Sequence, residues 1–140
     1  MLENLTYTKV SSISSGNAYV ITFKSGSSYY AMSHANNKIS AVKVTISNNV
    51  ITSEDTEDLV WNYSGSKLSY EDNGTTYYLY AQSSGWWGWG TPTLTLSTSN
   101  STSITFSSSK VKMSNYYLRY SSGTVSLNRS ATTTYFFVED

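Results

Sequence analysis

A chain of 140 residues fits one domain around one core. Its formal net charge of zero, from 9 basic and 9 acidic residues, leaves no basic stripe for nucleic acid and no polybasic segment for a membrane surface. No cysteine is present, which removes disulfides and thiolate chemistry, and apolar runs such as 135–138 are far too short to span a bilayer.

Charged residues make up 13% of the chain, about half the usual share. Ser and Thr fill about a third of it instead. The aromatic fraction is 15%, with 13 Tyr and 4 Trp. Tyr, Thr and Val suit strands, because branched and aromatic side chains pack on a pleated surface. No stretch of useful length has apolar residues at helical spacing. The short apolar runs predict strands at 6–10, 18–23, 29–33, 42–46, 59–63, 67–70, 76–81, 93–97, 103–106, 110–113, 116–120, 124–127 and 134–138. Turns are marked by Ser25-Gly26, Asn48-Asn49, Asn73-Gly74 and Ser122-Gly123.

A weak repeat runs through these elements. Tyr29-Tyr30-Ala31, Tyr77-Tyr78-Leu79 and Tyr116-Tyr117-Leu118 are each preceded by a strand opening on Tyr7, Trp61 or Phe106. Each is followed by an alternating strand: Val42-Lys43-Val44, Thr93-Leu94-Thr95-Leu96 or Thr124-Val125-Ser126-Leu127. The pattern predicts an all-β fold, a β-trefoil-like barrel of three four-stranded repeats, with a β-sandwich as the alternative. The last strand is then surplus, and is expected to close the barrel while the first strand sits outside it. The whole of 1–140 reads as one binding domain.

Several stretches are similar to a known group of modules. They are Tyr7-Thr8-Lys9-Val10-Ser11-Ser12-Ile13, Gly16-Asn17-Ala18-Tyr19-Val20-Ile21, Tyr78-Leu79-Tyr80-Ala81, Tyr117-Leu118-Arg119-Tyr120 and Thr134-Tyr135-Phe136-Phe137. Together they resemble β-trefoil-like accessory domains of large secreted and surface proteins of gut bacteria. The resemblance implies an extracellular module that accompanies glycosidases, proteases, nucleases or adhesins, and it implies no catalytic set. The Gln-x-Trp signature of ricin-type sugar-binding trefoils is missing, since Gln82 is followed by Ser83-Ser84. The start, Met1-Leu2-Glu3-Asn4, lacks the apolar core of a signal peptide. The expectation is therefore a domain of a larger extracellular protein.

The stretch from Ser83 to Pro92 is the most informative. Tyr117 stands eight residues before Val125, whereas the matching Tyr78 stands sixteen before Leu94. The surplus is a Gly-rich segment with Trp86, Trp87 and Trp89. Exposed Trp rings on such a loop are costly without a partner, and flat rings stack on the C–H faces of sugars. The three Trp are expected to form a platform, with Trp87 and Trp89 on one face of an extended run and Trp86 opposite. Tyr80, Gln82 and Ser84 are candidate hydrogen-bonding neighbours. The competing reading has the loop Trp covering the barrel mouth. Trp61, at a repeat position, reads as core.

Four of the nine acids lie in Ser53-Glu54-Asp55-Thr56-Glu57-Asp58. Their oxygens suit calcium, but the alternating pattern of a dedicated calcium loop is absent, and the segment reads as solvated. Glu71-Asp72-Asn73-Gly74 reads as a hairpin turn and His34, the one histidine, as a polar loop residue. No acid pair, metal cluster or nucleophile–base set can be assembled. The expectation is a module that is not an enzyme and needs no cofactor or metal. Its partner would be a glycan or surface polysaccharide, with a structural spacer or adhesin domain contacting host protein as the alternative.

Overall fold

Alternating side chains and two-residue turns organise this chain. The computed structural model describes residues 5–53, 56–83 and 90–140. Within them the strands are β1 (Leu5–Val10), β2 (Asn17–Ser25), β3 (Ser28–Ser33), β4 (Ser40–Val44), β5 (Ile46–Ser47), β6 (Val50–Ser53), β7 (Val60–Ser64) and β8 (Lys67–Asp72). They continue as β9 (Thr75–Gln82), β10 (Thr93–Ser97), β11 (Ile104–Ser107), β12 (Lys110–Met113), β13 (Tyr116–Ser121), β14 (Thr124–Asn128) and β15 (Thr134–Glu139). Every pairing between them is antiparallel. The described residues contain no α-helix, only single 3-10 turns at Ala35–Asn37 and Glu57–Leu59.

Each of the thirteen expected stretches overlaps a strand, but Leu59 belongs to the 3-10 turn before β7, the stretch at 42–46 is divided between β4 and β5, and β6 was not expected. Asn48 and Asn49 (φ 53° and 64°), Asn73 and Gly74 (50° and 81°), and Ser122 and Gly123 (48° and 87°) all lie in the left-handed region. Two such residues in succession match the right-handed twist of the flanking strands. The β2–β3 turn is Gly26-Ser27, one residue later than expected.

Two clusters form the core. Residues Tyr19 to Phe23 of β2 are all buried because both faces of the strand are covered. Tyr19, Ile21 and Phe23 face the larger cluster with Trp61, Leu68, Leu79, Leu118 and Phe136. Val20 faces a smaller one with Tyr7, Ala31, Ile51, Leu59 and Phe137. Adjacent Phe136 and Phe137 of β15 divide in the same way, as the period of two demands. Each such buried side chain contributes about 1.5–3 kcal/mol relative to exposure.

Backbone register exposes corresponding positions in three meanders. Two of them are β7–β8–β9–β10 and β11–β12–β13–β14; the third path is β15–β2–β3–β4. Met32, Leu79 and Leu118 are all fully buried in the larger cluster. Their carbonyls accept hydrogen bonds from Trp61 Nε1 (3.0 Å), Thr102 N (3.3 Å) and Thr132 N (3.3 Å). Thr102 and Thr132 correspond further, for their Oγ1 atoms accept from Ala81 N (2.9 Å) and Tyr120 N (2.8 Å). Tyr30, Tyr77 and Tyr116 pair with the core residues Phe23, Tyr70 and Met113. The first motif is thus Tyr30-Ala31-Met32, one residue beyond the expected Tyr29-Tyr30-Ala31, and Ala31 turns into the smaller cluster. Counted from the hairpin pairs Ser64–Lys67 and Ser107–Lys110, Trp61 matches Ile104, and Phe106 matches Tyr63.

The sheets are not closed into a barrel, contrary to the expectation. One sheet runs β10-β9-β8-β7-β2-β15-β1-β6-β5 with β3 and β4 branching from β2, and β11-β12-β13-β14 form a separate sheet. The polar segment 98–103 carries the chain between β10 and β11, and isolated bonds bridge the seam: Ile104 N to Ser66 O and Thr134 N to Ser109 O, both 2.8 Å. As expected, the final strand joins the repeat path beside β2 and leaves the first strand outside it, although no barrel closes. β15 lies between β1 and β2, so β1 is the strand pushed outward.

Candidate functional site

Connections β9–β10 and β13–β14 join corresponding strands, yet the first spans ten residues and the second only Ser122-Gly123. Of the residues expected to bind the ligand, the platform residues Trp86, Trp87 and Trp89 and their neighbour Ser84 lie outside the described residues. The two ends of their loop border a cleft of about 340 Å³ lined by Ser83, Gly90, Pro92, Ser114, Asn115, Tyr116 and Arg129. The Tyr116 hydroxyl donates to the Gly90 carbonyl at 3.4 Å, and the Arg129 guanidinium sits over the Tyr116 ring, 5.4 Å from its centroid. Ser114 and Asn115 turn the chain here with φ of 49° and 68°. Tyr80 and Gln82 do not line this cleft: they lie on β9, half-buried and exposed, paired with Thr95 and Thr93.

A larger cleft, of about 550 Å³, was not legible in the sequence. His34, Asn36 and Asn37 reach it from the β3–β4 connection, Glu57 and Asp58 from the second 3-10 turn, and Tyr70, Glu71 and Asp72 from β8. Asn36 and Asn37 have φ of 58° and 57°, a left-handed geometry that Asn tolerates better than most residues. The Tyr70 hydroxyl donates to Asn37 Oδ1 (2.9 Å), and Asn37 Nδ2 donates to Asp72 Oδ2 (3.1 Å).

His34 lies in the β3–β4 connection, a loop residue as expected, but it is buried rather than solvated. Its ring stacks on Tyr70 at 3.7 Å between centroids, Tyr70 stacks on Tyr77 at 5.2 Å, and Trp61 stands perpendicular to both His34 and Tyr70. Its Nε2 lies 2.8 Å from the Val60 carbonyl, which only accepts, so Nε2 carries the proton of the neutral ring. Burial pushes the Tyr70 phenol up to about 12, with the charges of Tyr77 and Asp72 adding to it. Burial also lowers the His34 pKa, against the raising effects of the Val60 carbonyl, Asp58 and Asp72.

That shift has a consequence for stability. As pH falls below 6.5, the ordinary histidine value, the unfolded chain takes up a proton that the folded chain resists. The contribution is full above that pH and is lost as pH falls through the lowered folded value. Melting temperature is expected to drop as pH falls below 6.5, and less steeply in His34→Gln. Equal slopes for both proteins would contradict this.

Chemically, the larger cleft offers an acidic rim around a histidine packed by aromatic rings. Among the described residues no group of three or more His, Asp or Glu side chains is arranged to hold a metal ion; Glu54 and Asp55 lie outside them. No described helix is long and apolar enough to cross a membrane. No family model matches the chain, and neither does any curated protein or solved structure.

Proposed function

We propose that this chain is a non-catalytic, extracellular carbohydrate-binding module on a β-trefoil-like arrangement, with Trp86, Trp87 and Trp89 as its stacking platform. The three corresponding meanders support the trefoil-like reading over a sandwich. One observation carries the function: a hairpin that closes in two residues elsewhere is extended here by a Trp-rich insert whose ends open on a cleft floored by Tyr116. The pairing of the corresponding strands β13 and β14 through a two-residue turn supports reading those residues as an insert. Glycines flanking the Trp remove side chains that would block a sugar face.

The test is the double change Trp87→Ala and Trp89→Ala, read by a glycan array and by thermal melting together. Binding is expected to be lost while the melting temperature stays within about 2 °C, the range of a surface change. A large fall in melting temperature would make the loop Trp core residues and favour the structural-spacer reading. Unchanged binding would move the site away from the loop.

A further inference from the structure

We infer that the glycan taken at the Trp-loop cleft is acidic, its carboxylate or sulfate held by the Arg129 guanidinium; this rests on the carbohydrate-binding function proposed above. Among the described residues that line the cleft, Arg129 is the one charged side chain and none is acidic. The adjoining stretch 84–89 contributes no charge either. The described lining around the guanidinium consists of hydroxyls, an amide and an aromatic ring rather than a carboxylate, so no acid of that lining competes with a ligand for its donors.

The surroundings also orient it. The flanking backbone is tied down: Ser130 N and Oγ both bond to Asn128 Oδ1, at 3.1 and 3.2 Å, and Arg119 Nη1 donates to Ser130 Oγ at 2.8 Å. Arg129 rests on the face of Tyr116, which favours a cation and holds the planar fork against the cleft wall. A planar fork with five donors matches a carboxylate or sulfate better than a lone hydroxyl. Ser83, Ser114 and Asn115 offer hydroxyl and amide groups for the neutral part of the same sugar. The opposite charge is gathered elsewhere, since the larger cleft carries Glu57, Asp58, Glu71 and Asp72 and repels anions. Four of the nine acids thus line one cleft, and Arg129 is the charged residue of the other among the described residues.

The experiment titrates the full chain with four probes: oligogalacturonate, its neutral methyl ester, a sulfated galactan oligosaccharide and its desulfated form. Wild type is expected to bind at least one acidic probe about 10- to 100-fold more tightly than its neutral partner, the gain of a charge-assisted bond. Raising the salt is expected to narrow that gap. Whichever acidic probe shows the gap identifies carboxylate or sulfate as the group recognised. Arg129→Gln is expected to erase the gap with unchanged melting, and Arg129→Lys to restore part of it. Equal binding of acidic and neutral probes, both lost in Trp87→Ala/Trp89→Ala, would overturn the acidic preference and leave the carbohydrate function standing. So would an acidic preference that survives Arg129→Gln, because the counter-ion would then lie elsewhere. Failure of all four probes to bind, with the glycan array also negative, would overturn both.

Discussion

Replacing Trp61 by alanine is expected to cost about 3–5 kcal/mol of folding stability and to lower the melting temperature by about 10–20 °C. Trp61 is fully buried and is the largest such side chain among the described residues. It lies in the larger cluster and stands edge-on to both His34 and Tyr70. Its indole nitrogen also donates to the Met32 carbonyl at 3.0 Å, where backbone amides of Thr102 and Thr132 serve Leu79 and Leu118. Truncation therefore opens a cavity and orphans a buried carbonyl at once. Trp61→Phe helps to separate the two effects, since it loses the donor entirely but only part of the ring volume. It should cost markedly less than alanine in chemical denaturation. A loss under about 1 kcal/mol for Trp61→Ala would mean that neighbouring rings collapse into the space.

Ending the chain at Thr133 is expected to abolish the cooperative unfolding transition. The removed β15 is an interior strand, bonded to β1 on one side and β2 on the other. It carries Thr134, Phe136 and Phe137, all fully buried, with one phenylalanine in each core cluster. Loss of a buried phenylalanine costs about 3–5 kcal/mol, and small domains hold only about 5–15 kcal/mol in total. Two such losses, together with two broken ladders, exceed that reserve. Near-ultraviolet circular dichroism and a urea titration provide the readout. A truncated chain that still melts cooperatively near the full-length temperature would show that β1 and β2 pair directly without β15.

Strand positions were legible because their signal is local. Alternation in Lys110-Val111-Lys112-Met113 and Thr124-Val125-Ser126-Leu127, and a turn such as Asn73-Gly74, are readable within a few residues. Core status was equally plain for Trp61, as was the surplus length between Tyr78 and Leu94. Repeat register was readable only to within a residue or two. Tyr29-Tyr30-Ala31 looks like the other Tyr-Tyr motifs, yet the face each residue takes depends on where the hairpin turn lies, and a slip of one residue exchanges the two faces. β6 escaped notice because Val50-Ile51 is a short apolar run beside a strongly acidic segment.

By itself, then, the sequence determined the all-β character, most strand positions and the extra Trp-rich insert, because propensity, alternation and length act over neighbouring residues. Only the tertiary structure decided that β15 enters between β1 and β2, that the sheets stay open, and that four acids gather at one cleft and Arg129 lines another. His34, Asp58 and Asp72 come from three different segments, and so do Ser83, Tyr116 and Arg129. Those approaches are created by long-range strand pairing and the shared burial of distant apolar faces, and no pattern within a few residues encodes them.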